Sequence, residues 1–404
     1  MRFSLKQLGP GLLFAGAAIG VSHLVQSTRA GADFGLGLLW ALLLVNLFKY
    51  PFFQYGPRYA AATGESLLDG YRKMGKGILI TYYILTFATM FSIQTAVTIV
   101  TAGLASSLFG DFISIEFWTV IILAICLLLL IVGRYKLLDV LIKIIIVTLS
   151  ISTIAAVVVA ITNNDTPLSF TQILPKETLE IGFLIAFMGW MPAPLDISVW
   201  HSLWAIEKKK EDTTFNAKSA LFDFNLGYIS TIILGIGFVL LGALVMFNSG
   251  EGFSNSAGIF SNQLIEMYTS SLGNWAYIII GVAAFTTMFS TTLTTLDASP
   301  RAMHRTTQLL FGNTFKKGYL FWILTLAVGT VVIFFVFASE MGLLIKIATI
   351  LSFLTAPFYA IINYRLLCSS HTPLASRPSL KLHILSWLGI SFLIGFSIWY
   401  LTIL

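Results

Sequence analysis

Long apolar segments recur along the whole 404-residue sequence, and short polar loops separate them. A helix needs about 20 mainly apolar residues to cross a bilayer. Eleven segments meet this requirement, and we number them as spans one to eleven. They are residues 9–31, 36–60, 78–107, 115–133, 139–162, 179–205, 217–247, 274–299, 319–338, 343–367 and 383–404. The pattern predicts an all-α integral membrane protein with about 11 spans.

Composition agrees with a membrane protein and excludes several other classes. Hydrophobic residues make up 57% of the chain and charged residues only 10%, whereas soluble domains carry about 25% charged residues. A soluble enzyme, a disordered chain and a nucleic-acid binder are therefore excluded. The sequence contains no glycine-rich phosphate loop and no zinc-binding spacing, and we expect neither an enzyme nor a resident cofactor. Cys126 and Cys368 are too few for a disulfide scaffold, and we expect two inert thiols.

Basic residues give the orientation in the membrane. If the N-terminus is cytoplasmic, 19 of the 24 lysines and arginines lie in cytoplasmic segments, and Lys176 alone lies in an outer loop. Such an excess marks the cytoplasmic side. We therefore expect a cytoplasmic N-terminus, an external C-terminus and a cytoplasmic loop at 206–216. The short loops favour a bacterial inner (plasma) membrane.

Two spans are interrupted by residues that break helices. Span one is rich in glycine and continues into a polar run at 22–29, and span six contains Gly189, Pro192 and Pro194. A broken helix survives in a bilayer only where it lines a cavity or is buried in protein. Two interrupted spans five apart are typical of a transporter built from inverted repeats, with its site at the midplane. The alternative is a pair of ordinary kinks from tolerated glycine and proline.

Several sequence motifs accompany these breaks. The first two spans contain LGPGLLFAGAAIG and AGADFGLGLLWALLLVNLF, and ATGESLLDGYR follows in the first cytoplasmic loop. HSLW, FDFNLGYIS and STTLTTLDASPRAM occur later in the chain. Together these motifs resemble the NRAMP family of divalent-metal transporters over residues 8–365. The resemblance implies a single transporter domain, 1–404, with a LeuT-like 5+5 inverted repeat of helices. The repeats would cover about 9–162 and 179–367, with an additional helix at 383–404.

The metal-binding motifs of the family are altered in this chain. The family has Asp-Pro-Gly-Asn in its first helix, and its Asp and Asn bind the metal. The aligned residues here are Gly20, Val21, Ser22 and His23. The family has Met-Pro-His in its sixth helix, and a gapless alignment places Pro194, Leu195 and Asp196 there. The other alignment uses Met191-Pro192-Ala193 and requires a three-residue insertion before His201.

A rebuilt site is predicted at the two breaks. The predicted substrate-binding residues are Ala17, Gly20, His23, Gln26, Met191, Pro194 and Asp196, with His23 and Asp196 as metal ligands and backbone carbonyls near Ala17 and Met191. An imidazole with oxygen ligands suits a first-row metal, and manganese, iron and magnesium are the candidate transported ions. Three alternatives remain: His23 bonds a freed carbonyl, Asp196 caps the following helix, or the two side chains pair as a pH-sensitive gate.

The third span lacks the acidic residues that belong to the family's proton path. No Asp or Glu occurs between Gly77 and Gly110, and Met90 and Ile93 stand where those acids are expected. A proton relay needs titratable groups along its path, so we do not expect transport to be tightly coupled to protons. Span eight offers a hydroxyl cluster that resembles a sodium site, although such hydroxyls also serve ordinary helix packing. The candidate coupling residues are His201, Ser290, Thr291 and Thr294.

Other charges within the spans have structural explanations. Arg29 with Asp33, Asp139 with Lys143 and Asp297 with Arg301 are spaced to neutralise each other. Lys49 and Lys346 would reach toward the interface or pair, and Asp223 would be an interfacial charge.

The leading function is a secondary transporter that moves a divalent metal ion by alternating access. The alternative is a LeuT-fold symporter, with sodium as a candidate coupling ion, for a small organic or anionic solute. An unwound first helix without its carboxylate suits an anion at a helix N-terminus. A non-transporting membrane receptor is a third hypothesis. The expected partners are a small ion or solute and the lipid bilayer, without nucleic acid or an obligatory protein partner.

Overall fold

The structure is a computed structural model that describes residues 9–132, 135–162, 169–212, 214–247, 252–312, 317–336 and 340–403, with the backbone alone for 135–146. The described residues form fifteen α-helices and no strand. Their bounds are α1 Pro10–Ala18, α2 Thr28–Phe34, α3 Leu39–Thr63, α4 Leu67–Met74, α5 Lys76–Phe109, α6 Ile115–Val132, α7 Tyr135–Thr162, α8 Thr178–Trp190, α9 Ile197–Glu211, α10 Ala217–Val245, α11 Ala257–Leu272, α12 Ala276–Phe311, α13 Gly318–Val336, α14 Met341–Cys368 and α15 Leu380–Ile403.

Each of the eleven predicted spans corresponds to a helix or to a broken pair of helices. Seven helices of the described chain are long and apolar enough to cross a membrane, namely α5, α6, α10, α12, α13, α14 and α15. An eighth candidate is the bent pair of span one. The other three predicted spans correspond to α3, to α7 and to the pair α8–α9. The amphipathic α4 and the short α11 lie between spans.

Span one is broken after Ala18. The helix axis bends by 46° between α1 and the segment Ser22–Phe34, and Ser22–Ser27 form a π-helical turn. Hydroxyl groups bond carbonyls around the break, because Ser22 Oγ donates to the carbonyl oxygen of Ala18 at 2.6 Å and Thr28 Oγ1 donates to that of His23 at 3.3 Å. The polar run at 22–29 therefore compensates the irregular backbone, as buried polar groups require.

Span six is broken between Trp190 and Ile197. Residues 191–196 are not helical, and the break contains Pro192 and Pro194, which have no backbone N–H to continue a helix. The C-terminal carbonyls of α8 therefore have no partner within their own helix. Both breaks predicted from the sequence are present.

The helices pack in two groups. In the first group, α1 and α3 each contact both α9 and α10, so that spans one, two, six and seven are joined. In the second group, α5, α6, α12 and α13 are in contact, and they are spans three, four, eight and nine. Each group contains pairs of spans that are five apart. The division into repeats at 9–162 and 179–367 stays a prediction.

Asp223 ties the start of α1 to α10. Its side-chain oxygens accept hydrogen bonds from the backbone N–H of Gly9 at 3.1 Å and of Gly11 at 2.6 Å. The two helices approach so closely that a Cβ on Gly11 would lie 2.1 Å from the carbonyl oxygen of Asp223. Asp223 is buried and caps the start of α1, which the sequence did not predict, and its place at the membrane interface stays a prediction.

The structure describes two of the three predicted ion pairs. Asp297 and Arg301 form a 2.7 Å salt bridge, but α12 continues past them to Phe311, so the predicted end of span eight at 299 is too early. Arg29 directs its hydrogen bonds to Ser254 and Asn255 on the loop before α11, and it also interacts electrostatically with Asp33. The side chains of Asp139 and Lys143 lie outside the described part of the structure.

Candidate functional site

A small central cavity lies between the two breaks. Its volume is about 20 Å³, which is enough for roughly one water molecule or one small ion. The lining residues come from spans one, three, six and eight: Ala17, Ala18, Val21, Ser22, Ile93, Val97, Trp190, Pro194, Ile197, Trp200, Thr291 and Thr295. Three of the predicted site residues, Ala17, Pro194 and Thr291, are among them.

Hydroxyl groups supply most of the side-chain polarity of this cavity. Thr291 Oγ1 donates to the carbonyl oxygen of Gly16 at 3.3 Å and lies 3.1 Å from that of Thr287. Thr295 Oγ1 donates to Gln94 Oε1 at 2.6 Å. The prediction that hydroxyls of span eight face carbonyls of the broken first span is confirmed for Thr291. Among the described residues that line this cavity, none carries a carboxylate or an imidazole.

Gly20 leaves the space in which the Thr291 side chain packs against the break of span one. A Cβ at position 20 would lie 2.9 Å from Thr291 Oγ1 and 3.0 Å from its Cγ2. Such distances are shorter than van der Waals contact, so a side chain at Gly20 would displace Thr291. Gly20 thus shapes the site by leaving space.

His23 points toward span seven. Its Nε2 donates to the carbonyl oxygen of Thr231 on α10 at 2.9 Å, and its Nδ1 lies 2.6 Å from Ser22 Oγ. Nε2 carries a proton in this arrangement, because a carbonyl can only accept. The single hydroxyl proton of Ser22 serves either the Ala18 carbonyl or Nδ1, and a metal at the fully buried His23 would have to displace Thr231 or Ser22 from the ring.

Asp196 occupies the N-cap position of α9, but its side chain makes no capping hydrogen bond. The residue is 5% exposed, and its Oδ1 is buried without a hydrogen-bond partner. A buried and unpaired carboxylate oxygen is costly. Asp196 is thus the group in the second break that is most available to a cation.

Lys49 of α3 extends its ammonium group into the break of span six. Nζ donates to the carbonyl oxygens of Met188 at 2.7 Å, Gly189 at 2.8 Å, Met191 at 3.1 Å and Ala193 at 3.3 Å. Lys49 is completely buried, so of the two predicted alternatives the reach toward the interface is wrong, and the lysine interacts electrostatically with Asp196. The Met191 carbonyl, which was predicted to face the substrate, accepts from this lysine.

A larger and more polar cavity of about 430 Å³ lies beside the second half of span one. We call this cavity the vestibule. It is lined by Val25, Gln26, Arg29, Leu179, Phe183, Ala186, Asn255, Glu340, Gly342, Leu343, Ile345 and Lys346. Gln26, predicted as an amide ligand, faces this cavity instead of the central one, and its Oε1 has no partner. Lys346 also lies at this cavity.

The remaining predicted coupling residues do not line either cavity. His201 is buried, stacks on Phe14 with ring centroids 5.6 Å apart, and neither of its ring nitrogens has a hydrogen-bond partner. Ser290 is buried with an unpaired hydroxyl, and Thr294 is buried beside it on α12. Among the residues that the structure describes, no three His, Cys, Asp or Glu side chains form a cluster that would hold a metal. The roles of His23 and Asp196 as ligands stay a prediction.

Several residues of the site were not predicted from the sequence, among them two tryptophans, an amide and a lysine. Trp190 and Trp200 line the central cavity, Gln94 fixes Thr295, and Lys49 fills the second break. The sequence pointed to two of them, Lys49 and Gln94, because an ammonium in span two and an amide in span three are unusual in apolar segments.

Comparison with known proteins identifies the family. A family model described as natural resistance-associated macrophage protein-like (Nramp) matches residues 11–402. The chain belongs to this Nramp-like family. An uncharacterised protein of Pasteurella multocida is 36% identical over 403 residues, which cover 98% of this chain and 92% of that protein. The resemblance seen in the sequence motifs is thereby confirmed.

Solved structures show the same fold at low sequence identity. A manganese transporter of Eremococcus coleocola aligns with a TM-score of 0.76 and 14% identity, over 97% of this chain and 85% of that chain. MhsT, solved in complex with L-phenylalanine, aligns with a TM-score of 0.67 and 14% identity, over 96% and 98% of the two chains. The family member described here therefore has the predicted LeuT-like fold and is an integral membrane protein.

Proposed function

We propose that the protein is a secondary transporter that moves a divalent metal ion across the membrane by alternating access, with the ion in the central cavity. Manganese, iron and magnesium are the proposed candidate ions. The observation that carries this proposal is the position and size of the cavity. It lies where the breaks of spans one and six meet span eight, and its volume of about 20 Å³ fits an ion but not an organic molecule.

The proposed ligands combine backbone and side-chain oxygens. The candidate oxygen ligands at the central cavity are the backbone carbonyls of the first break near Ala17 and the hydroxyls of Ser22, Thr291 and Thr295. Such oxygen ligands suit hard cations. Asp196, whose Oδ1 is unpaired, would supply negative charge from the second break. His23 would join only in a state of the transport cycle in which it releases Thr231 or Ser22.

The vestibule is the proposed entrance. Gln26, on its wall, is four residues from Ser22 on the wall of the central cavity, so the two spaces are separated by about one helical turn. With the N-terminus in the cytoplasm and the C-terminus outside, the vestibule opens to the exterior. We propose a bacterial inner membrane as the location.

One observation favours the alternative cargo, a small organic or anionic solute. The ammonium of Lys49 places positive charge in the second break, and two tryptophans with several aliphatic side chains line the central cavity. Positive charge disfavours a cation in its neighbourhood. On this alternative the cavity would have to widen, and sodium would be the coupling ion at Thr291.

Uptake into liposomes distinguishes the two functions. Purified protein is reconstituted, and initial uptake of Mn²⁺, Fe²⁺ and Mg²⁺ is compared with uptake of amino acids and small carboxylates, each with and without a sodium gradient. The proposal expects saturable uptake of at least one metal and competition among the metals. Uptake of an organic solute without uptake of any metal would contradict it and favour the alternative.

A further inference from the structure

The carbonyl groups around the second break form a cage that is already filled. Four backbone oxygens, from Met188, Gly189, Met191 and Ala193, surround Lys49 Nζ at 2.7 to 3.3 Å. We call these four oxygens the carbonyl cage. A neutral amine has two N–H groups, whereas an ammonium has three. Four acceptors around one nitrogen suit the three N–H groups of an ammonium, one of which is shared between two carbonyls.

The electrostatics of the break favour a cation at this point. Met188 and Gly189 belong to the last turn of α8, where unpaired carbonyls carry the negative end of the helix dipole. The carboxyl group of Asp196 also interacts electrostatically with Lys49. Nζ nevertheless bonds the four carbonyls and not the carboxylate. The four carbonyl dipoles and the Asp196 carboxylate thus together compensate the buried positive charge of Lys49.

Lys49 reaches this position from the middle of another helix. It is the eleventh residue of the 25-residue α3, about 15 Å from the start of the helix at 1.5 Å per residue. Further along α3, Gly56 lies so close to α9 that a Cβ would be 2.2 Å from the carbonyl oxygen of Ser198. One helix therefore contacts both halves of span six and holds Lys49 in register with the break.

We infer that the carbonyl cage is a binding site for a monovalent, ammonium-sized cation, and that the Lys49 side chain is its permanent, tethered occupant. Lys49 is then a positioning residue that fixes the break of span six. Rings of backbone carbonyls can replace the hydration shell of potassium, so ammonium and potassium are the free ions that match. A transported metal would be held outside the cage, on the side of the central cavity.

Removal of the tether should open the site to free ions. Lys49→Ala removes both the charge and the stem, which leaves a space that ammonium or potassium can enter. Lys49→Met removes the charge but keeps a side chain of similar length, which leaves no space. Lys209→Ala is the matched control, because Lys209 Nζ donates to a single backbone carbonyl, that of Ala61, at 2.8 Å at the edge of the protein.

The measurement is the melting temperature of each detergent-purified variant at constant ionic strength, in choline, sodium, potassium, ammonium or manganese chloride. In choline chloride we expect Lys49→Ala and Lys49→Met to melt below the wild type. Ammonium should raise the melting temperature of Lys49→Ala alone, by about 3 °C at concentrations a hundredfold above the dissociation constant. The wild type, Lys49→Met and Lys209→Ala should show no such saturable rise.

Several results would overturn the inference. One is a Lys49→Ala protein that responds to neither ammonium nor potassium. Another is a response to manganese alone, which would assign the cage to the transported ion. If Lys49→Ala cannot be purified in any salt, Lys49→Met decides, because a melting temperature equal to that of the wild type would exclude a tethered occupant. The test measures binding and not transport, so its outcome is independent of the proposed function.

Discussion

Asp223 on α10 accepts a 2.6 Å hydrogen bond from the backbone N–H of Gly11 in the first turn of α1. The two residues are 212 positions apart in sequence. Asp223 also accepts a second hydrogen bond, from the backbone N–H of Gly9. The first half of span one and span seven are therefore joined at the cytoplasmic end, on the predicted orientation. Movement of α1 during transport would have to carry α10 with it.

Replacement of Asp223 should therefore loosen α1. Asp223→Ala leaves two backbone N–H groups of a buried helix start unpaired, and we expect a loss of about 2 kcal/mol in the free energy of unfolding. Asp223→Asn should lose less, because its amide oxygen still accepts one bond. Asp111→Asn, in an exposed loop, is the control and should change little. Chemical denaturation measures all three, and equal stability of Asp223→Ala and wild type would contradict the capping role.

The orientation predicts which loops a reagent reaches from each side. In a variant that lacks Cys126 and Cys368, a cysteine replacing exposed Lys210 should react with an impermeant maleimide only from the cytoplasmic side. A cysteine replacing Asp111 should react only from the exterior. The reverse pattern would invert the topology and place the vestibule on the cytoplasmic side.

Much of the fold was predictable from the sequence. Each apolar run is long enough to dictate a helix, and Gly20, Pro192 and Pro194 mark the breaks because glycine and proline disfavour regular helix. The extension of α12 beyond residue 299 was missed, since Pro300 is tolerated inside this helix. Proline has no backbone N–H, and a membrane helix tolerates it where neighbouring groups satisfy the freed carbonyl.

Side-chain directions in the site were not predictable. A break frees several carbonyls at once, and the sequence does not show which neighbouring side chain will reach them. Lys49 is 139 residues from Met188, and His23 is 208 residues from Thr231. These contacts depend on how spans two and seven pack against the breaks, which periodicity alone does not reveal.

His23 and Asp196 provide a test of the metal site by two different readouts. Because their present contacts are separate, the effects of His23→Ala and Asp196→Ala on thermal stability should be additive. If both ligate one transported ion, their effects on Mn²⁺ uptake should not be additive, and the double variant should be little worse than either single one. Additive losses in uptake would contradict a shared ion. Asp196→Asn, which removes charge at constant size, should lose uptake as Asp196→Ala does.

Proton coupling is expected to be absent or loose. Gln94 in span three bonds Thr295 and Thr98 through an amide that does not titrate, and the span contains no acidic residue. Mn²⁺ uptake with a pH-sensitive dye in the liposome lumen should therefore show no acidification at a fixed ratio to metal. Such acidification would contradict the prediction. A strict requirement for sodium that Thr291→Val abolishes would assign coupling to the hydroxyls of span eight.

The central claim is that the cargo passes through the cavity between the two breaks. Ala18→Leu adds three carbon atoms to the wall of a space of about 20 Å³, whereas Ala155→Leu makes the same change on an exposed position of α7. The deciding measurement is the initial rate of Mn²⁺ uptake into liposomes by these two variants and the wild type, at equal amounts of folded protein. We predict a loss of at least about tenfold in Ala18→Leu, about 1.4 kcal/mol in the activation free energy, and a wild-type rate in Ala155→Leu. A wild-type rate in Ala18→Leu would contradict the account.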